Sequence, residues 1–195
     1  MTTTTPIRIA DVVGGHVHPS LAATAGGDLV TVYNREGGGG RELLLCRSSD
    51  AGATWSAPEA ITAIRECSIY PGSLTRFGDG RLLLNWACYR AEPGEPWREP
   101  QFSWSEDDGY RWSTPRSYPV SERTNYTCVR NPVLELSASS WVCPFYDGTV
   151  VYDADADVIT PFGDGRNHGM VPIVATPSGT IVSGAPQTEA PVPVG

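Results

Sequence analysis

Ser48-Ser49-Asp50-Ala51-Gly52-Ala53-Thr54-Trp55-Ser56-Ala57-Pro58 returns 57 residues later as Ser105-Glu106-Asp107-Asp108-Gly109-Tyr110-Arg111-Trp112-Ser113-Thr114-Pro115. The shared frame is S-x-D-x-G-x-x-W-S-x-P, with six fixed positions matched twice. Self-similarity at a fixed spacing is the mark of a repeat architecture. In a tight turn the Asp accepts backbone N–H groups and the Gly supplies a positive φ. The Trp then wedges between neighbouring sheets, burying roughly 200 Å². Asp50 and Asp107 are therefore read as hairpin clamps rather than as catalytic carboxylates.

Working outward, a second pattern precedes each box. His18-Pro19-Ser20-Leu21, Tyr70-Pro71-Gly72-Ser73-Leu74, Arg130-Asn131-Pro132-Val133-Leu134 and Gly169-Met170-Val171-Pro172-Ile173-Val174 each lead into a turn and an apolar strand. Their prolines are 52, 61 and 40 residues apart. The pattern predicts strands over 19–25, 29–34, 42–48 and 58–63 in the first unit. The second unit reads 71–77, 81–90, 101–105 and 116–120, and the third 132–136, 141–146, 149–153 and 158–161. Four short strands recurring every 40–60 residues are the signature of propeller blades. The expected fold is all-β, a β-propeller of four-stranded antiparallel blades. One partial propeller domain over 1–195 is expected, with blades at about 16–65, 66–125 and 126–166 and the start of a fourth at about 167–184.

Composition agrees. The chain carries 21 Gly and 17 Pro among 195 residues, which argues against helices. Six Trp and eight Tyr supply a core, so wholesale disorder is excluded. The net charge is −8, and all 14 basic residues are Arg with no basic cluster. A nucleic-acid surface is not expected. No segment reads as membrane-spanning or as a signal peptide, so a cytoplasmic chain is expected. The five Cys, spread without metal-ligand spacing, read as buried free thiols, and neither a metal nor a cofactor is expected. Asp153-Ala154-Asp155-Ala156-Asp157 has the start of a calcium loop, but Val158 stands where that loop needs Gly, so a hairpin turn is the reading.

The S-x-D-x-G-x-x-W frame, in Ser48, Asp50, Gly52 and Trp55 and again in Ser105, Asp107, Gly109 and Trp112, resembles the Asp-box, or BNR repeat, of sialidases (neuraminidases) and related propellers. The resemblance covers about Ile7 to Val182 and implies the N-terminal half of a six-bladed propeller. It also implies a site in a central funnel opposite the boxes, reached by the starts of first strands and by the loops between second and third strands. That filter selects His16, His18, Glu66, Tyr70, Arg130, Asn167 and His168 at the strand starts. In the loops it selects Asn34, Arg35, Glu36 and Arg41, then Tyr89, Arg90, Glu92, Glu95 and Arg98. Arginines and carboxylates converging on a funnel suit an acidic or hydroxyl-rich sugar, because guanidinium grips carboxylate bidentately.

Sialidases hold the substrate carboxylate with three arginines and use a Tyr nucleophile assisted by Glu, with an Asp acid/base. The first arginine belongs to an R-I-P opening. Here Val17-His18-Pro19 stands in that place, and Arg130-Asn131-Pro132 has the R-x-P form in a different blade. Glu36 is the nearest carboxylate to the acid/base position. Substrate contacts are assigned to His18, Arg35, Tyr70, Arg90, Arg130 and His168. The resemblance places the Tyr/Glu pair in blades beyond these three. Asn125-Tyr126-Thr127 forms a glycosylation sequon that a cytoplasmic chain leaves unused. Ile7–Val13 reads as an outer strand closing the ring with the last blade.

The expected function is a sialidase-like exo-glycosidase, a hydrolase of a terminal, acidic sugar, truncated in this chain. The rival is a non-catalytic carbohydrate- or protein-binding propeller, or an assembly scaffold. Open blade edges would also let two copies self-associate.

Overall fold

The structure, a computed structural model, describes residues 6–9, 19–37, 40–61, 68–90, 97–120, 129, 131–145, 148–162 and 173–183. Strands β1 (Ser20–Ala23), β2 (Leu29–Gly37), β3 (Gly40–Ser48) and β4 (Glu59–Ala60) form one antiparallel sheet in chain order. Strands β5 (Ser68–Arg76), β6 (Leu82–Arg90), β7 (Trp97–Ser105) and β8 (Arg116–Ser117) form a second. A third joins β9 (Leu134–Ser137), β10 (Ser140–Phe145), β11 (Gly148–Asp153) and β12 (Val158–Pro161), followed by the pair β13 (Ile173–Ala175) and β14 (Ile181–Ser183). The first strand of each sheet is the innermost: β5 packs against β1, and β13 against β9. The chain is an all-β propeller, with three blades and the opening hairpin of another described.

Strand alternation builds the seams between blades. Val30 and Val32 of β2 and Leu43 and Leu45 of β3 meet Leu82, Leu84, Trp86 and Cys88 of β6, with Leu74 and Ile61 completing the cluster. The opposite face of the second sheet puts Leu83 and Phe102 against Trp141, Cys143, Phe145 and Tyr152. The outer face of the first sheet carries a smaller cluster, Tyr33, Leu44 and Cys46, covered by Ile9, Trp55 and Ala60. Side-chain to backbone bonds fix one blade on the next. Ser20 Oγ accepts from the Leu74 N–H at 2.8 Å, and Thr75 Oγ1 accepts from the Val133 N–H at 3.0 Å. The Asp108 carboxylate accepts the N–H groups of Ala25 and Gly26 at 2.9 and 3.1 Å.

Several expectations need correction. Strands β2, β3 and β7 run further than the sequence pattern suggests, whereas β6 matches its expected span. The β2–β3 ladder continues unbroken to Gly37 opposite Gly40, so Asn34, Arg35 and Glu36 lie in a strand and not in a loop. Arg98 likewise lies in β7, while Tyr89 and Arg90 close β6 where the expected strand 81–90 ends. Antiparallel hydrogen bonds propagate the hairpin through polar residues once its apolar half is packed. The outer strands β4 and β8 are shorter than expected, two residues each, because they pair on one side only and follow Pro58 and Pro115. Pro6–Ile9 form no strand, and Ile9 packs on the outer face of the first sheet; the rest of the expected closing strand lies outside the described residues. Cys88 is disulfide-bonded, which corrects the reading of five free thiols, while Cys46 and Cys143 are free and buried.

Candidate functional site

Antiparallel pairing brings particular strand ends together. The C-terminal ends of β2 and β6 and the N-terminal ends of β3, β5 and β7 share one rim of the propeller. At that rim Arg35 pairs in register with Glu42, Glu36 with Arg41, and Arg90 with Trp97. Tyr70 lies opposite Ala87. Of the sequence-selected residues, Arg35, Glu36, Tyr70 and Arg90 thus sit at rim positions of the first two blades. His18, Arg130 and His168 lie outside the described residues.

A bulge shapes this rim, and the sequence reading missed it. The β5–β6 register slips between Tyr70 and Ser73. Gly72 makes the slip sterically allowed, because a Cβ there would overlap the carbonyl oxygen of Asn85. Bulges re-aim the strand end beyond them, here Ser68–Tyr70. The only sequence cue is the Pro-Gly pair inside a strand pattern. Ser73, just past the bulge, donates to the Asn131 carbonyl at 2.9 Å and so ties the second blade to the opening of the third.

Below the rim, Asn34 is fully buried, and among the described residues neither Oδ1 nor Nδ2 has a hydrogen-bond partner. The indole N–H of Trp86 is buried without one as well. Between the second and third blades, by contrast, the Tyr118 hydroxyl donates to Asn85 Oδ1 at 2.5 Å and accepts from Trp141 Nε1 at 3.0 Å. Burial pushes the nearby Cys143 thiol up to about 12, so it is no nucleophile.

The repeated boxes occupy the opposite end. Ser48 Oγ accepts the Gly52 N–H at 2.8 Å and donates to Asp50 Oδ1 at 2.8 Å. Asp50 also takes the backbone N–H and the hydroxyl of Thr54, at 2.8 and 2.7 Å. Those bonds, the Thr54 hydroxyl first, hold the Asp50 carboxyl at about 2, far from a proton donor at neutral pH. In the second box partial burial pushes Asp107 up, but the Arg111 side chain, its N–H and Ser105 outweigh that and leave it below the usual range. Gly52 and Gly109 have φ of 90° and 88°. Trp112 packs into the seam between the first two blades, whereas Trp55 lies on the outer face of the first.

In the third blade Asp153 Oδ1 accepts two turn N–H groups at 3.0 Å, from Asp155 and Ala156. Asp157 accepts from Tyr152 and pairs with Arg116 at 3.2 Å. These carboxylates close a hairpin.

Such a stack of four-stranded blades, with clamped turns at one end and a polar rim at the other, defines a β-propeller whose funnel is the candidate site. No protein-family profile and no curated protein sequence matches this chain. Among solved structures it is similar to a protein of unknown function from Dyadobacter fermentans, with a TM-score of 0.67 and 16% identity. That match covers 86% of this chain and 60% of the other. It is also similar to the α-L-arabinanase of Penicillium chrysogenum (TM-score 0.56, 17% identity, 85% of this chain and 55% of that one). A third is a variant of the NanB sialidase of Streptococcus pneumoniae (TM-score 0.55, 10% identity, 81% and 46%). The chain spans roughly half to three-fifths of the structures it matches, and at these identities the likeness is one of fold. Among the described residues no helix is long and apolar enough to cross a membrane.

Proposed function

We propose that this chain contributes the first blades of a sialidase-like exo-glycosidase whose funnel takes a terminal, acidic sugar. The observation that carries the reading is the rim itself. The ladder sets Glu36 against Arg41 and Arg35 against Glu42, with Tyr70 and Arg90 at the same end of the next blade. Arginine positions at the rim suit an acidic sugar, and the Glu36 position offers a carboxyl to its leaving group. Glu36 is assigned the acid/base role: it gives its proton to the glycosidic oxygen, then takes one from the water that ends on the anomeric carbon. Arg35, Arg90, Tyr70, His18, Arg130 and His168 are assigned to substrate binding, and the nucleophile to blades beyond this chain. That two of the similar structures are glycosidases supports the reading.

The test is turnover of an aryl sialoside and a panel of aryl glycosides by the full-length protein containing this chain. Glu36→Gln should lower kcat by at least about a hundredfold with KM little changed. An unchanged kcat would remove Glu36 from the reaction. A second reading, a non-catalytic glycan- or protein-binding propeller or scaffold, is favoured by one observation: His18-Pro19 stands where the first arginine is expected. Binding without turnover by the full-length protein would select it. The Cys88 disulfide favours an oxidising compartment over the cytoplasm expected from the sequence.

A further inference from the structure

We propose a second sugar site, away from the rim, in the groove where the second box turn overhangs the outer strand of the first blade. The groove encloses about 300 Å³ and is lined by Glu59, Ala60 and Ile61 on one side and by Tyr110, Arg111 and Trp112 on the other. At that size it sits at the lower end of small-molecule sites, with room for one sugar ring.

The internal repeat separates what the fold requires from what this sequence adds. The first box clamps its turn with Ala53 and Thr54 where the second has Tyr110 and Arg111. The backbone N–H of Thr54 and that of Arg111 make the same bond, each 2.8 Å from the box aspartate. The clamp therefore needs neither a Tyr nor an Arg side chain. The next seam offers a comparable groove of about 420 Å³, but Pro119, Val158, Ile159 and Pro161 line it without an aromatic ring. The second groove carries one charged residue, Asp157, so the recess belongs to the architecture and the aromatic lining is what is particular to the first seam.

The lining has free hydrogen-bonding groups. Trp55 donates its indole N–H to the Gly52 carbonyl at 3.1 Å, whereas the equivalent Trp112 makes no such bond. Arg111 spends only its Nε on Asp107, at 2.7 Å, and its side chain is 90% exposed. Glu59 is exposed on the outer strand and makes no ion pair among the described residues. Tyr110 is 69% exposed, an unusual position for so large a ring, and the Arg47 guanidinium lies over it at 3.9 Å. That contact favours one orientation of the ring before any ligand arrives, which lowers the entropy cost of binding.

A pre-set aromatic surface beside a carboxylate, a guanidinium and an indole N–H matches the apolar face and alternating hydroxyls of a sugar. Glu59 and Arg111 carry opposite charges, so the match is to a neutral ring rather than to an anion. Choosing a sugar rests on the glycan reading of the rim, but the two sites differ in the charge they favour.

The test uses the full-length protein with methyl β-galactoside as the neutral probe and free N-acetylneuraminic acid as the acidic one, each titrated by calorimetry. The double variant Tyr110→Ala, Arg111→Thr installs the first box's own residues and so keeps the clamp. Trp112→Phe removes the indole N–H together with the pyrrole part of the ring, and a melting curve reads the cost to seam packing. Both variants should weaken the neutral probe at least about tenfold, the scale of one lost hydrogen-bonded contact, and leave the acidic probe unchanged. Equal affinity of wild type and variants for the neutral probe overturns the groove and leaves the rim reading standing. Wild type that binds no neutral probe overturns the groove as well. Loss of the neutral probe in the variants, with no acidic probe bound by any form, upholds the groove and overturns the acidic rim.

Discussion

Asp50 accepts three hydrogen bonds that all favour its ionised form, and its carboxyl titrates near 2 where an unfolded Asp titrates near 3.9. A depressed folded pKa contributes stability that is present above pH of about 4 and drains away as pH falls toward about 2. Asp107 shifts in the same direction and adds to the effect. Melting curves of Asp50→Asn should therefore show a flatter decline between pH of about 4 and 2 than the parent does. Identical slopes would mean that the clamp is not what acid breaks. Asn34 is the opposite case, a buried amide with nothing to bond. Ala87 occupies the corresponding position of the next blade, buried and apolar, so the fold asks for no amide there. Asn34→Leu should raise stability by about 0.5–2 kcal/mol in urea unfolding, since the desolvation cost disappears. A loss of stability would reveal a partner for the amide. The boxes were legible in the sequence because their hydrogen bonds are local, closing within five residues. Asn34 was read both as the last residue of its strand and as the first of the loop, because where that strand ends depends on pairing with Leu43 across the hairpin.

At the scale of elements, each hairpin's length follows from its partner rather than from its own composition. Arg35 and Glu36 are poor strand formers flanked by glycines, yet they are held because Arg41 and Glu42 pair with them. Strand existence and order were therefore readable, and strand ends were not. The β5 bulge is the sharpest instance. Pro71-Gly72 looks like a strand opening in the sequence, but the strand begins at Ser68 and is broken there instead. Gly72→Ala should be destabilising by about 2–3 kcal/mol or more, because the new methyl meets backbone, which cannot rotate away as a side chain can. Denaturant titration checks it: a variant as stable as the parent would show that the bulge relaxes freely. The rim candidates were legible as a set of polar residues at strand ends. Their roles were not, since a ladder register fixes where a residue stands and not what it binds.

For the molecule as a whole, blades stack so that each sheet leans mainly on its neighbours, and stability should follow the number of covered faces. The second sheet is covered on both, by the first through Leu82, Leu84 and Trp86 and by the third through Leu83 and Phe102. Among the described residues, Ile9, Trp55 and Ala60 cover Tyr33, Leu44 and Cys46 on the first sheet's outer face. Leu83→Ala should then cost about 3–4 kcal/mol, within the range for a leucine in a full core, and Leu44→Ala nearer about 2, since neighbours with free space can collapse into the gap. Urea unfolding of the two variants at several protein concentrations makes the comparison. A larger cost for Leu83, independent of concentration, means that the outer face stands uncovered in this chain and that the next blade belongs there. Equal costs that rise with concentration mean that a second copy covers it, and the ring is then completed by association of chains.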